Sequence, residues 1–275
     1  MSEGYYVIRT YKSGDVGEKT KFFVPGKRPE KNLTKKQQAA VRKAEQNSYS
    51  AQKNLARIIN ENFGNDGVFL GLDYSDAGLG RVLAWGRENG LAVDSEDETV
   101  RNDAVWEAAA HELEIAIRRV KRILKKQGIE LKAISCTSDM DGDTEEMVRV
   151  HHHLIVQDGV QDAFVKAWEK YGLGGVSWTP FWENQIDRTP IAEYIIKQVR
   201  RIPDAKKYRC TRNLKRPAPK DRVVYTDTEL KVPKGGKLIF RQEYRCGAAE
   251  SGDYQNRQPQ YIRYILPERL GRKTD

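Results

Sequence analysis

Residues 148–156 read VRVHHHLIV and place three of the chain's four histidines, His151, His152 and His153, inside a hydrophobic run. The run reads as a β-strand. Alternate side chains on a strand share a face, so His151 and His153 point one way and His152 the other. Two imidazoles at i and i+2 can converge on one divalent metal ion. The competing reading is a pair of buried, hydrogen-bonded histidines, an arrangement that is costly without a shared ligand. Two histidines also leave room for a third ligand, for substrate oxygens and for water, which describes a catalytic site more than a closed structural one.

Working outward, LKAISCTS (131–138) reads as a second strand, joined to the first through the acidic loop DMDGDTEEM (139–147) as a hairpin. VFLGLDY (68–74) and GGVSWTPFW (174–182) read as two further strands. The strongest helix spans 101–126, where Trp106, Ala110, Leu113, Ile117, Val120 and Leu124 recur at helical spacing and Gly128 marks the end. Another covers 161–171, and IAEYIIKQVRRI opens a third, with Thr189 as N-cap and Pro190 at its first position. Residues 34–63 also read as helix, with Leu55, Ile58, Ile59 and Phe63 as its apolar stripe. Residues 76–100 read as a loop with a short helix around Leu83. Residues 1 to about 47, with Pro25 and Pro29, read as basic and irregular. The tail from 203 is basic and turn-rich, with strands near 237–245 and 260–266.

The order strand, helix, strand, strand, helix, strand matches a split βαβ arrangement. The expected fold is therefore α+β: an RRM- or ferredoxin-like antiparallel sheet with helices on one face, the first and third strands paired at its centre. Three parts are expected: a basic N-terminal extension with a helix (1–63), a catalytic core (64–202) and a basic, β-rich C-terminal extension (203–275).

Two carboxylates are candidates to complete the histidine set. Asp139 ends the neighbouring strand of the hairpin, and Asp73 ends the strand expected on the other side. Glu145 and Glu146 are outside candidates, and each acid also reads as an ordinary solvated loop group. The run from Asp139 to Asp143 resembles a calcium loop only superficially, since its glycine comes too early and Val150 stands where a glutamate is needed. His111 lies off the apolar face of its helix and reads as a surface residue. Tyr194 and Lys197 are three apart on one helix and share a face. A phenol beside an ammonium, with a metal to hold a phosphate, suits phosphoryl transfer, because a phenol pKa near ~10 makes a phosphotyrosyl group a fair leaving group.

Composition narrows the partner. The 275 residues carry 48 Lys and Arg against 39 Asp and Glu, a net charge of +9, which suits a polyanionic partner. Lys197, Arg200, Arg201, Lys206, Lys207, Arg209, Arg212, Lys215, Arg216 and Lys220 crowd one short stretch that holds only Glu193 and Asp204 as acids. No apolar run is long enough to span a membrane. The start, MSEGYYVIRTYKSGD, has no apolar core of a signal peptide, and the three cysteines form no CxxC pair. A cytoplasmic location is expected. No GxxxxGK[ST] occurs, so no ATPase site is expected.

These segments together resemble the HUH endonuclease superfamily. VRVHHHLIV is similar to its second motif, VFLGLDYS to the strand of its first, and AEYIIKQ to its third, a nucleophilic tyrosine with lysine three residues on. KYRCTRNLKRP resembles the Ser/Thr-Arg-Asn-Leu-Lys-Pro stretch downstream of the tyrosine in rolling-circle replication initiators of bacterial plasmids, phages and integrative elements. EKTKFFVPGKR and NLARIINENF are similar to lead-in segments of such initiators, so the resemblance spans roughly 15–217. It implies His151 and His153 as ligands of Mg²⁺ or Mn²⁺, Tyr194 as nucleophile and Lys197 as its positioning partner. It also implies single-stranded or extruded origin DNA as substrate, a 5′-phosphotyrosyl intermediate, and a host helicase and single-strand-binding protein as partners in the bacterial host of a mobile element. The basic stretch 197–220, from Arg200 to Arg216 above all, would hold the DNA backbone.

The sequence departs from related initiators in three ways. They often carry Glu where this chain has Ser138 then Asp139, Thr where it has Asp73, and an aliphatic residue in place of His152. Either aspartate would replace the missing Glu as metal ligand. No second tyrosine follows Tyr194 in the motif, which places the chain with single-tyrosine members. A conjugative relaxase or an HUH transposase is the alternative within the superfamily, and a basic nucleic-acid-binding module with a structural metal is the non-enzyme alternative. Trp178, Phe181 and Trp182 read as core packing or as stacking platforms for bases.

Overall fold

The computed structural model describes residues 4–24, 36–144, 146–182, 184–199, 206–243 and 259–267, with 36–47 as backbone only. In chain order the elements are β1 (Tyr5–Ser13), β2 (Val16–Val24), α1 (Lys36–Asn62), β3 (Gly67–Asp73), α2 (Asp76–Glu88), α3 (Glu98–Lys125), β4 (Ala133–Met140), β5 (Met147–Gln157), α4 (Gln161–Trp168), β6 (Val176–Pro180), α5 (Thr189–Lys197), β7 (Arg209–Cys210), β8 (Lys220–Val224), β9 (Lys237–Glu243) and β10 (Gln260–Ile265). They form an α+β structure with two antiparallel five-stranded sheets.

The histidine strand β5 lies at the middle of one sheet, in the order β6-β3-β5-β4-β7. The first and third of the four expected strands are thus paired at the centre. Register places Asp73 and Ser138 on either side of His151, Gly71 and Cys136 beside His153, and Leu72 and Thr137 beside His152. One face carries Val68, Leu70, Leu72, Leu154 and Val156, which α2, α3 and α4 cover with Val82, Ala108, Leu113, Val120, Phe164 and Trp168. The other carries Ile134, Cys136 and Ile155, which α1 and α5 cover with Leu55, Ile59, Phe63, Ala192, Ile195 and Ile196.

The central strands β3, β5 and β4 are therefore covered on both faces, and the expectation of helices on one face is corrected. The physical reason lies in the strands themselves: VFLGL (68–72) and LIV (154–156) run without the polar alternation of a strand with one wet face, the mark of a strand covered twice. Helix α2 is a full thirteen residues rather than a short turn. It starts where Ser75 Oγ accepts from the Gly78 amide at 3.1 Å.

The N-terminal expectation also needs correction. Residues 5–24 form a hairpin, not an irregular arm, and it joins β8, β9 and β10 in the second sheet, ordered β8-β1-β2-β10-β9. The chain's two ends thus make one layer, with Ile8, Leu230, Ile262 and Tyr264 at its core. This layer is bound to α1 by a buried ion pair, Arg57 to Glu18 at 2.9 Å, with Tyr261 Oη donating to the same carboxylate at 3.1 Å. Burying a charge pair is tolerated when further hydrogen bonds satisfy it, as here. Among the described residues no helix is long and apolar enough to cross a membrane.

Candidate active site

The three histidines divide as their alternation requires. His152 is fully buried on the α3 side, where its Nε2 meets Tyr74 Oη at 2.9 Å and its Nδ1 meets Thr137 Oγ1 at 3.1 Å. Burial pushes its pKa down to about 3, so it is a neutral core residue with both ring nitrogens engaged.

His151 and His153 face α5. Their Nε2 atoms stand 3.0 Å apart. His151 Nδ1 donates to the Arg149 carbonyl at 2.9 Å, which leaves its Nε2 lone pair aimed at His153. His153 is 8% exposed, and burial, then the charge of His151, pushes its pKa down to about 4. A low pKa keeps the imidazole neutral, the form that binds a metal.

Gln198, which sequence reasoning missed, completes the cluster. Its Oε1 lies 2.5 Å from His153 Nε2. The residue follows α5 directly, one turn beyond Tyr194, and is buried. Its carbonyl accepts from Ser138 Oγ at 2.5 Å, which ties the end of α5 to β4 beside His151. The loop at Gly142 presses on the same side chain: a Cβ there would come within 3.0 Å of Gln198 Cγ.

Two ring nitrogens and an amide oxygen thus crowd one point. A proton on His153 Nε2 can be shared between His151 Nε2 and Gln198 Oε1 in a bifurcated bond, and once it is released a cation can take all three atoms as ligands. Two cis ligands of an octahedral ion at about 2.1 Å each stand about 3 Å apart, the separation of the two imidazole nitrogens, and Gln198 Oε1, 2.5 Å from His153 Nε2, would draw back by about 0.5 Å to take a third position. The two imidazole nitrogens suit a transition-metal ion, and the amide oxygen, with positions left for water and phosphate, suits Mn²⁺ or Mg²⁺. The residues present fit such an ion.

The carboxylate candidates divide. Asp73 is exposed, stands across the strand pair from His151, and its charge acts on His153. Its backbone is held by Trp168 Nε1, which donates to its carbonyl at 3.0 Å, and by Gly174, whose φ of 157° and close approach leave no room for a Cβ. Asp139 is buried in the bulge between Ser138 and Met140. Glu146 is exposed, and Glu145 lies outside the described residues. Among the described residues no three His, Cys, Asp or Glu side chains cluster as a metal site. The set that does converge includes an amide. Asp141 accepts from the amides of Asp143 and Thr144 at 2.8 and 2.9 Å, so it folds its own loop.

Tyr194 lies over this cluster. It is half exposed, and its ring meets His153 edge-on at 5.7 Å between centroids and Phe69 at 5.8 Å. Lys197 is exposed one turn on. The helix that carries both begins one residue earlier than the cap expected at Thr189. Arg188 is the N-cap, and Asp187 Oδ1 accepts from the Thr189 amide at 3.1 Å and its hydroxyl at 2.6 Å. Asp187 also pairs with Arg263 of β10 at 2.9 Å, and the Arg188 amide donates to Asn60 of α1 at 2.8 Å. The start of the tyrosine helix is thereby fastened to α1 and to the second sheet.

The basic stretch runs along the β4 edge of the histidine sheet, where β7 pairs with Ile134 and Ser135. Lys206, Arg209, Arg212, Lys215 and Arg216 are exposed, and Arg209 pairs with Glu114 of α3. Lys207 differs from its expected place on the surface: it is buried. Arg200 and Arg201 lie outside the described residues. Within this stretch Leu214 packs into the core beneath α5 and Asn213 Nδ2 donates to the Leu131 carbonyl at 3.2 Å, so the segment is seated by its uncharged residues. His111 is half-buried and stacks on Trp85 at 3.8 Å.

No family model, curated protein or solved structure matches this chain.

Proposed function

We propose that the protein is a metal-dependent endonuclease of HUH type that nicks and rejoins single-stranded DNA through a 5′-phosphotyrosyl intermediate, and that it initiates rolling-circle replication. The observation that carries this reading is the convergence of His151, His153 and Gln198 directly beneath an exposed tyrosine. The strand order supports it, since the four strands β3 to β6 run 4-1-3-2 by position, the pairing of a split βαβ sheet.

The residues take these roles. His151, His153 and Gln198 would hold the ion, with Asp73 beside them as a further oxygen donor. Mg²⁺ or Mn²⁺ held there would polarise the scissile phosphate and offset the charge that develops on it. Tyr194 Oη attacks phosphorus: the Tyr–O–P bond forms, the P–O3′ bond breaks, the phenol loses its proton and the 3′ oxygen leaves as a hydroxyl that primes synthesis. Lys197 brings a positive charge to the same helix face as the attacked phosphate. His152 takes no part in the chemistry and holds β5 in place. Lys206, Arg209, Arg212, Lys215 and Arg216 bind backbone, so affinity falls as salt rises. Rejoining reverses the first step, with a 3′-hydroxyl attacking the phosphotyrosine.

The test is a denaturing gel with single-stranded DNA from the gene's own flanks and Mn²⁺, with and without chelator. An SDS-resistant adduct that requires both metal and Tyr194 supports the reading. Salt-sensitive binding without any adduct contradicts it and leaves a non-catalytic binding module.

A further inference from the structure

Tyr194 has a second side. Away from the histidines its ring lines a cavity of about 400 Å³ between β6 and the start of α5, walled by Phe69, Phe181 and Trp182, with Thr179 and Gln185 among its polar groups. That volume falls within the range of small-molecule sites. Trp182 is 73% exposed, a large apolar surface left in water. Its backbone is nevertheless fixed. The Trp182 carbonyl accepts from Arg188 Nη1 at 3.0 Å and from the Gln185 amide at 3.1 Å, and the buried Arg188 guanidinium lies 4.8 Å over the Phe181 ring. The indole is therefore exposed on a clamped loop, beside a nucleophile, at the mouth of an aromatic cavity.

We propose that this cavity receives one unpaired nucleobase of the cleaved strand, the base adjoining the phosphate that Tyr194 attacks. The inference rests on the nicking reading for its substrate and on the cavity for its place. A phosphate at Tyr194 Oη carries its neighbouring base within one nucleotide of the cavity. Flat aromatic walls accept any base by stacking, while the Thr179 hydroxyl and Gln185 amide offer hydrogen bonds to a base edge. A paired base cannot enter, because it would first have to leave its stack. The cavity thus selects single-stranded over duplex DNA at the point of attack.

The test uses the full-length Tyr194→Phe protein in chelator, where no strand is cut. It is bound to random-sequence single-stranded oligonucleotides carrying iododeoxyuridine and irradiated. Crosslinks mapped by mass spectrometry should fall on Trp182 or Phe181. In the same background Trp182→Ala should weaken binding of unmodified single-stranded DNA roughly ten-fold at fixed salt, with Trp182→Phe restoring most of it and duplex affinity unmoved. Crosslinks confined to the basic segment 206–216, or a Trp182→Ala variant that binds single strands like its parent, overturn the proposal. The nicking reading is judged separately by the metal-dependent adduct: crosslinks at Trp182 without any adduct would keep the base pocket and refute the endonuclease, and an adduct without them would do the reverse.

Discussion

His152 and His153 are neighbours in the chain and stand on opposite faces of β5. On one face, His152 is enclosed by Tyr74, Trp168 and Thr137, and each of its nitrogens has a single partner. On the other, His153 Nε2 is approached by a second imidazole nitrogen and by an amide oxygen at once, and its Nδ1 is buried without a hydrogen-bond partner among the described residues. Both rings are neutral for the same cause, burial. The difference lies in how many acceptors meet at one point. A fully satisfied pair of contacts stabilises a core; three convergent polar atoms offer a ligand set to the cation proposed above. Sequence neighbours thus divide into a ring with one partner on each nitrogen and a ring at a crowded point, according to which helices cover each side of the strand.

The comparison can be broken most sharply at Tyr194, the residue that only one face possesses. Tyr194→Phe should cut adduct formation to below about a thousandth of wild type in a denaturing gel, with the fold unchanged, because it removes one exposed hydroxyl. The opposite experiment is His152→Ala. It should cost about 2–4 kcal/mol of stability in urea unfolding, from a lost buried ring and the two hydrogen bonds it makes to Tyr74 and Thr137, while the folded protein binds Mn²⁺ as before. His153→Ala should show the reverse: about 100-fold weaker Mn²⁺ binding by calorimetry with a small change in the unfolding midpoint. Gln198→Ala should weaken the same binding about 10- to 100-fold, and Gln198→Glu should retain it. The smallest effect is expected at Asp187, far from both rings. Asp187→Ala should cost about 1–2 kcal/mol, since it removes the cap of α5 and the tie to Arg263.

Much of the histidine face was legible in the sequence. Period-two alternation fixes which histidines share a face, and the order of elements anticipates the β3–β5 pairing. Tyr194 and Lys197 are visible as a helical pair. Gln198 was not visible, because an amide one turn past a tyrosine has no signature until α5 is known to cross β5 near His153. The second helical layer is hidden for a related reason: Phe69, Ile134 and Ile155 sit in short apolar runs, and such runs do not say what covers them. The N-terminal hairpin was hidden by its charges. Glu18 and Lys21 look like solvent-facing residues in sequence, yet both are buried and neutralised, by Arg57 and by Asp227 at 2.5 Å. The anchoring of the tyrosine helix depends on Asp187 meeting Arg263, a partner far along the chain that local patterns do not encode.

The most direct test of the account is to map the covalent bond. The protein is incubated with Mn²⁺ and a single-stranded DNA cut by it, digested with protease and nuclease, and the peptide bearing the residual nucleotide is sequenced by mass spectrometry. The account predicts a 5′-nucleotide on Tyr194 and none when a chelator is present. A nucleotide on another residue, or one that forms without metal, would contradict it.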